Sequence, residues 1–556
     1  MLYFRYFCID GLSKRHRLSR ASARARLDRK QTTGHDRLTE IHNRWQDCSD
    51  YRLRHLLDLM HHRSPLEGSL MKLFAIGIAV MLAGFSYQAS ANPKSSHAMS
   101  SETTMIFTAD SGEKVDAFEG SFTVPENRAD TQSRTLTLRY VRFPATGNKT
   151  GFPIIYLAGG PGGSGIDTAK GRRFPLFMAM REFGDVIAFD QRGTGASNDM
   201  PQCTSSQKLA GTENISDVQY VKRHQYALRV CLTFWKEKGI DVHGYTTPEN
   251  VNDLEALRQH LGVQKLTLWG ISYGSHLSLA AIKQMGDRID KVVIASAEGL
   301  DQTIKLPART DDYFGRVQDA INTQPKTKAA WPDIKSTMRR VHAKLEKAPI
   351  AIKVKQKDGT TFDYLWQRRD MQQAASATIS DPVPLSLLLH LYDSLDKGDT
   401  KILDAVAPFV VKATEEISFQ PMSVLMDIAS GTGAARRALI ADQAKTSLLA
   451  TYLNQPVELE DVDRSLVLDD DFRTAPVSDV PLLLLSGTLD GRTYIESQRE
   501  AVAGLSALQT VTIHNVGHNL FLASPEVTAT IQDFMRGGNV DGREIDFPLT
   551  DLLTAG

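Results

Sequence analysis

Three side chains of complementary chemistry, Ser272, Asp490 and His518, could together perform nucleophilic catalysis. A serine hydroxyl is a weak nucleophile near neutral pH, so it needs a base to take its proton. The base in turn needs a partner that fixes its tautomer and stabilises its charged form. With His518 as the base and Asp490 as its partner, the three residues predict acyl transfer through Ser272.

Ser272 is the centre of Gly270-Ile271-Ser272-Tyr273-Gly274, which has the G-x-S-x-G spacing of a nucleophile elbow. In such an elbow a strand turns so sharply into a helix that the serine hydroxyl is left bare and no Cβ fits at the glycines. A short apolar stretch of strand type, 265–269, precedes it. Apolar residues at helical spacings follow it: Leu277, Ala280, Ala281, Ile282 and Met285. Strand, elbow and helix are therefore predicted together, and a glycine-rich turn with a solvated serine is the alternative.

The acid and the base are each placed by a predicted strand. Asp490 comes just after the apolar run 481–485, and His518 follows Gly517 in a loop after the last β-type run. Both therefore fall at the carboxyl edge of the sheet, beside the elbow. His514 is the rival base, although it lies inside the β-type run. The rival acids precede the strand in a loop of solvated type: Asp469, Asp470 and Asp471.

A glycine loop, 159–165, follows the buried run 153–158 and has five glycines in seven positions. Glycines at a strand end indicate close backbone approach or positive φ. The tetrahedral oxyanion of acyl transfer needs two preorganised N–H donors. The elbow places Tyr273 N–H as one, and we expect the loop to supply the other from Gly160, with Gly159 as the neighbouring alternative.

A second buried strand, 185–189, runs into Asp190-Gln191-Arg192-Gly193-Thr194-Gly195-Ala196-Ser197. Its glycines lack both the G-x-G-x-x-G pattern and the G-K-[ST] ending of nucleotide-binding loops. No nucleotide, metal or other cofactor is therefore expected.

The glycine loop, the Asp190 segment and the elbow together resemble the α/β-hydrolase superfamily, and within it the proline iminopeptidase and tripeptidyl aminopeptidase group of serine peptidases. That group shows G-G-P-G, D-Q-R-G-x-G-x-S and G-x-S-Y-G in this order. Ala158 departs from the histidine that many iminopeptidases carry there, which favours the tripeptidyl type. The resemblance implies an α/β fold, a mostly parallel sheet flanked by helices, with a largely helical cap inserted before the acid-bearing strand. It covers residues from about 105 to 300 and from about 476 to the end.

The chain organisation follows from the change in periodicity. Residues 105–141 alternate as antiparallel strands do, whereas 303–475 are mostly helical, with Leu385, Leu388, Leu391 and Leu395 three or four residues apart. A hairpin is predicted with Asp358-Gly359 at its turn. We expect a core of 92–302 and 476–556 with 303–475 as the cap domain.

The N-terminal segment has a different composition from the rest. The 556-residue chain has a formal net charge of +0, which gives no reason to expect a nucleic-acid partner, but residues 1–70 carry a net +6. The sequence restarts at Met71 with a lysine, an apolar run and Ala89-Ser90-Ala91, as in a secretory signal peptide. We predict that 1–70 is a mis-assigned extension, that 71–91 is the signal peptide, and that the mature chain begins near Asn92. A nucleic-acid arm, a disordered basic tail and an uncleaved anchor are the alternatives.

Cysteine usage agrees with export to the periplasm or the medium. Cys8 and Cys48 lie in the extension, which leaves Cys203 and Cys231 in the mature protein. Two cysteines in an exported chain predict one disulfide, and two buried free thiols are the alternative.

These observations predict an exported, metal-independent serine hydrolase, and the resemblance makes it an aminopeptidase that acts on short peptides with a free amino terminus. Glu298 is the candidate for the substrate ammonium because it follows a core strand at the catalytic edge, and Asp427 competes for this role. The resemblance also gives Arg192 a role in organising loops beneath the site. A carboxylesterase or lipase with the same triad and a catalytically silent binding protein are the rival interpretations.

Overall fold

The computed structural model describes residues 102–148, 151–197 and 200–553. The predicted extension 1–70, the signal peptide 71–91, Cys8 and Cys48 lie outside the described residues. The described residues belong to one compact unit.

A ten-stranded sheet in the described residues has the order β1-β2-β3-β5-β4-β7-β8-β12-β13-β14. The first three strands are antiparallel, as predicted, and the sheet is parallel from β5 onwards. The strands that precede the glycine loop, the elbow and the acid (β4, β7 and β12) are buried apolar runs, as expected for strands covered on both faces, whereas β13, which precedes the His518 loop, is mostly half-buried. The strands of this sheet are β1 Thr103–Thr108, β2 Lys114–Pro125, β3 Thr135–Phe143, β4 Ile154–Leu157, β5 Val186–Asp190, β7 Leu266–Ser272, β8 Ile289–Ala297, β12 Leu482–Gly487, β13 Leu508–His514 and β14 Arg543–Asp546.

Helices cover both faces of this sheet. One apolar cluster packs α4 Thr247–His260, α5 Tyr273–Met285 and α15 Ile495–Ala501 against one face. A second cluster packs α1 Gly165–Lys170, α2 Phe174–Met180 and α16 Pro525–Met535 against the other. In the described part of the chain, no helix is both long and apolar enough to cross a membrane.

The segment predicted as a cap is mostly helical and has an apolar cluster of its own, which also includes Leu489 and Tyr494 of the core. The four leucines that predicted a helix are buried on one of its helices, and the predicted hairpin forms with Gly359 at φ +87° in its turn. The helices are α6 Pro307–Asn322, α7 Pro325–Ala330, α8 Ile334–Lys347, α9 Arg368–Thr378, α10 Pro382–Asp396, α11 Ile402–Val410, α12 Pro421–Ser430, α13 Ala434–Gln443 and α14 Asp470–Arg473; the hairpin strands are β9 Ile350–Lys355 and β10 Thr361–Trp366.

A two-stranded ribbon joins the core to the insertion. Strand β6, Cys203–Ala210, pairs antiparallel with β11, Thr414–Phe419, which lies just before α12 in the chain. Cys203 forms a disulfide with Cys231 of α3, Asp217–Glu237, with 5.6 Å between the two Cα atoms. The disulfide thus fixes one strand of the ribbon to a core helix.

Candidate active site

The elbow serine has the backbone geometry that the motif predicts. Ser272 ends β7 with φ 55° and ψ −127° and makes no side-chain capping bond to α5, so its hydroxyl stays available. A Cβ at Gly270 would lie 2.5 Å from the carbonyl oxygen of Gly274, and one at Gly274 would overlap the carbonyl oxygen of Leu157. Both flanking glycines are therefore required by close backbone approach, which tolerates no side chain.

Asp490 and His518 are hydrogen-bonded to each other. His518 Nδ1 lies 3.0 Å from Asp490 Oδ2 and 3.1 Å from Oδ1. The aspartate is fully buried, whereas the histidine side chain keeps 15% exposure. Burial alone would raise the pKa of Asp490, but His518 and the N–H groups of Thr493 and Arg492 hold it below its ordinary value. The carboxylate is thus ionised where it can fix the tautomer of the imidazole.

Neighbouring strands bring Ser272 and His518 to one edge of the sheet. Ser272 lies opposite Ala297 in the β7–β8 pair. The adjacent Ser296, at φ 52°, donates a hydrogen bond from Oγ to the backbone carbonyl oxygen of His518 at 3.0 Å. The histidine loop is therefore attached to the strand beside the nucleophile.

The glycine loop packs directly on the elbow. A Cβ at Gly159 would lie 3.0 Å from Ser272 Cβ, and Gly160 is exposed at φ +129°. Asp190 ties the loop down, because its Oδ1 accepts from Ser164 Oγ at 2.7 Å and from Ile166 N–H at 3.0 Å. Gly160, next to Gly159, and Tyr273, which begins α5 where backbone N–H groups have no partner within the helix, stay the predicted oxyanion donors.

The backbone of Glu298 is linked to the elbow through the hydroxyl group of Ser275. Ser275 Oγ donates to the carbonyl oxygen of Ser272 at 2.5 Å and accepts from Glu298 N–H at 2.9 Å. The Glu298 side chain is only 8% exposed and forms an ion pair with Lys305. Its charge is therefore partly balanced from within the protein.

Helix α12 brings Asp427 to the same region. Ser423 Oγ donates to the carbonyl oxygen of Pro161 in the glycine loop at 2.5 Å, and Met426 Sδ accepts from Tyr273 Oη at 3.2 Å. Burial, followed by the charge of Glu298, raises the pKa of Asp427 to about 8. The two predicted ammonium ligands thus interact electrostatically, and at neutral pH Asp427 carries a proton.

Arg192 has a structural role, as expected from the resemblance. Its side chain is fully buried, its Nε and Nη2 lie 2.6 and 2.7 Å from the carboxylate of Asp253, and it donates to the backbone carbonyl of Glu126 at 2.5 Å. The guanidinium connects α4 to the loop after β2 and does not reach the reacting groups.

The rival residues lie elsewhere. His514 ends β13, and its Nε2 lies 3.5 Å from Glu544 Oε2 on the neighbouring strand. Asp469 caps α14, with its Oδ1 accepting from Phe472 N–H at 3.0 Å, and Asp470 and Asp471 are exposed in the same short helix.

Sequence reasoning missed the residues that hold the acid and the base. Thr493 donates to Asp490 from its N–H at 2.9 Å and from Oγ1 at 2.8 Å. The backbone carbonyl oxygen of Ser380 accepts a hydrogen bond from the backbone N–H of His518 at 2.7 Å. Thr493 follows the acid by three residues and could have been expected in its turn, whereas no local pattern indicates Ser380 or Ser296.

A family model matches part of the chain, and several known proteins are similar to it. A family model described as "alpha/beta hydrolase fold" matches residues 153–381. Serine protease Hip1 of Mycobacterium tuberculosis is 29% identical over 184 residues, which are 32% of this chain and 35% of that protein. Tripeptidyl aminopeptidase of Streptomyces coelicolor is 26% identical over 220 residues, 35% of this chain and 39% of that protein. The proline iminopeptidase-related protein of Thermus thermophilus has 15% identity and a TM-score of 0.34, with 75% of this chain and 97% of that one covered.

The chain thus has the α/β-hydrolase fold. Part of it is similar in sequence to a serine protease and to a tripeptidyl aminopeptidase. The alignments span little more than a third of the length of these curated relatives.

Proposed function

We propose that the protein is an exported serine aminopeptidase that releases N-terminal residues or short peptides through an acyl-enzyme on Ser272. The observation that carries the proposal is a serine in strained elbow backbone at the end of β7, next to the strand whose Ser296 holds the loop of His518, which is paired with the buried Asp490. Strain of this kind is costly and is typically kept where it serves a function.

In the first half of the reaction, Ser272 Oγ attacks the scissile carbonyl carbon while His518 Nε2 takes the hydroxyl proton. The carbonyl oxygen becomes an oxyanion, and the N–H groups of Tyr273 and Gly160 stabilise it. His518 then gives its proton to the leaving amine as the C–N bond breaks, which leaves the acyl group on Ser272. Asp490 stays ionised and stabilises the imidazolium throughout.

In the second half, water replaces the amine. His518 takes a proton from the water as its oxygen attacks the acyl carbon, and the second tetrahedral intermediate uses the same two N–H groups. Its collapse returns the proton to Ser272 Oγ and releases a carboxylic acid. No proton or electron has to come from a further reagent.

The amine preference rests on Glu298 and Asp427. A carboxylate in a partly desolvated site binds an ammonium by charge-assisted hydrogen bonds, which are stronger than neutral ones. Glu298 is held beside the elbow through Ser275, and Asp427 lies on the helix that contacts the glycine loop. A substrate ammonium placed between them would favour ionisation of Asp427, whose pKa is raised to about 8 in the free protein.

Export is supported by two features. The disulfide of Cys203 and Cys231 is of a kind that persists in oxidising compartments. The segment 71–91, which lies outside the described residues, has the pattern of a signal peptide.

The proposal is tested with matched substrates. Tripeptidyl and aminoacyl anilides with a free amino terminus should be hydrolysed, and their N-acetylated forms should not. Glu298→Gln should raise KM for the free-amine peptides by about 10-fold or more, because a buried charge-assisted bond is lost, while short-chain esters change little. The control is Glu119→Gln, which alters an exposed carboxylate on β2 that is paired with Arg139 on β3. It should leave the kinetics with both kinds of substrate unchanged.

The outcomes separate the candidates. Equal hydrolysis of blocked and free peptides would contradict the aminopeptidase and favour an endopeptidase, whereas hydrolysis of esters alone would favour the carboxylesterase. An unchanged KM in Glu298→Gln would remove only Glu298 from the proposal.

A further inference from the structure

The corner between α9 and α10 lies against both loops that carry the acid and the base. A Cβ at Gly491, directly after Asp490, would overlap the carbonyl oxygen of Ile379. A Cβ at Gly517, directly before His518, would overlap the carbonyl oxygen of Ser380 and lie 2.6 Å from Asp381 Oδ1. Three consecutive residues of the insertion thus touch the two loops at positions where only glycine fits.

The corner also holds the backbone of the histidine. His518 N–H donates to the carbonyl oxygen of Ser380 at 2.7 Å, and the carbonyl oxygen of His518 accepts from Ser296 Oγ at 3.0 Å. One side of the His518 backbone is therefore fixed by the insertion and the other by the core strand β8.

Asp381 directs its carboxylate at the same loop. It occupies the N-cap position of α10, where an aspartate normally caps its own helix, yet its side chain makes no capping bond. Asp381 Oδ2 accepts from Asn519 Nδ2 at 2.8 Å, and Oδ1 lies 3.4 Å from Asn519 N–H. Pro384, at the third position of α10, has no N–H to donate to such a cap, and the carboxylate instead fixes the residue that follows His518.

The charges of the base and the acid both affect the pKa of the Asp381 carboxyl group. Burial raises the pKa of Asp381, the bond from Asn519 and the charge of His518 lower it, and Asp490 raises it further. Arg173 also reaches this loop, and its Nη2 donates to Asn519 Oδ1 at 3.3 Å. Asp381 is therefore a second carboxylate, besides Asp490, at the loop that carries the imidazole.

We propose that Asp381 is a positioning residue for His518: its carboxylate, with the carbonyl of Ser380, holds the loop 517–519 so that the imidazole stays between Asp490 and Ser272 and its protonated form is stabilised. The inference rests on the proposed function, because it assigns a role relative to the Ser272 nucleophile. It makes the insertion part of the catalytic apparatus, beyond covering the site.

The test measures the rate at which a fluorophosphonate labels Ser272, as a function of pH. This reaction needs the base but no amine subsite. Asp381→Asn keeps an oxygen that can accept from Asn519 but removes the charge. We expect labelling about 10-fold slower than in the wild type, because the amide has one acceptor oxygen where the carboxylate uses two, so the loop loses a bond and small misplacements of catalytic groups are costly. We also expect the acid limb of the profile to move about half a pH unit lower, because the imidazolium loses a nearby negative charge.

Two further variants keep the result interpretable. Asp333→Asn changes an N-cap aspartate that does cap its own helix, α8, through Ser336 N–H at 2.9 Å, and should leave rate and profile unchanged. Asn519→Ala removes the link but keeps the Asp381 charge, so labelling should slow by a factor of at least about 3 with little shift of the acid limb.

The proposal is overturned if Asp381→Asn, folded by its thermal unfolding curve, is labelled at the wild-type rate with the wild-type profile, or if its rate falls with no shift of the acid limb. If Asp381→Asn does not fold, a wild-type labelling rate in Asn519→Ala overturns it. Absence of labelling in the wild type would instead contradict the proposed function.

Discussion

The carboxyl groups of Glu298 and Asp427 interact with each other, but their electrostatic environments differ. Glu298 is paired with Lys305, whereas the burial of Asp427, together with the charge of Glu298, raises the pKa of Asp427 to about 8. A single ionised carboxylate with an internal cation is therefore the resting state at neutral pH. A second charge develops when a cationic group arrives or the pH rises.

This difference predicts a dependence of stability on pH. The folded-state pKa of Asp427 lies above the unfolded value of about 3.9, so between these values the native state holds a proton that the unfolded state has lost. Stability contributed by this group therefore falls as the pH rises from about 4 to about 8. Asp427→Asn has no such proton, and its free energy of unfolding relative to the wild type should increase with pH by up to about 1.4 kcal/mol per unit.

Urea unfolding of both proteins at pH 5, 6, 7 and 8 measures this difference directly. A difference that stays constant over this range would show that Asp427 titrates as an ordinary carboxyl group.

Among the structural elements, the β6–β11 ribbon connects the disulfide to the site. Strand β11 lies just before α12, which contacts the glycine loop through Ser423 and carries Asp427. The disulfide of Cys203 and Cys231 fixes the other strand of the ribbon to α3. The ribbon thus connects a covalent link in a different part of the chain to the segment that leads into the helix of Asp427.

Replacing both cysteines by serine should destabilise the protein. The two cysteines are 28 residues apart, and closing a loop of this size contributes about 3 to 4 kcal/mol on the chain-entropy model. Chemical denaturation of the exported wild type with and without reductant should show a loss of this size, and the double variant should not respond to reductant. Two free thiols in the unreduced native protein would contradict the prediction.

The sequence predicted those elements whose signals are local. The buried runs of β4, β5, β7 and β12 could be recognised because parallel strands covered on both faces are continuously apolar. Strand β6 was missed because CTSSQKLA is mostly polar and its partner lies about 200 residues further on. Asp381 was missed for a similar reason, since an aspartate before a proline indicates a helix start, and its partner Asn519 is 138 residues away.

At the scale of the whole molecule, the insertion and the core contribute to one site. The core supplies the elbow, the acid, the base and the glycine loop, and the insertion supplies α12 and the α9–α10 corner. Elbow geometry and loop order could be predicted because they are set within a few residues. The contacts of the insertion could not, because they depend on how distant segments pack.

The start of the mature protein is a prediction at this scale, and it concerns residues outside the described part of the chain. N-terminal sequencing of the exported native protein should begin at or near Asn92, because cleavage follows Ala89-Ser90-Ala91. A mature species that still contains Arg24 or His42 would contradict the predicted signal peptide.

The turnover of Ser272→Ala shows whether Ser272 is the nucleophile. The substitution removes one hydroxyl that makes no capping bond, so the thermal unfolding curve should stay close to that of the wild type. Hydrolysis of peptide anilides and short-chain esters should fall by about 10³-fold or more, because no other group can form the acyl-enzyme. A folded Ser272→Ala protein that keeps even a few per cent of either activity would contradict the account.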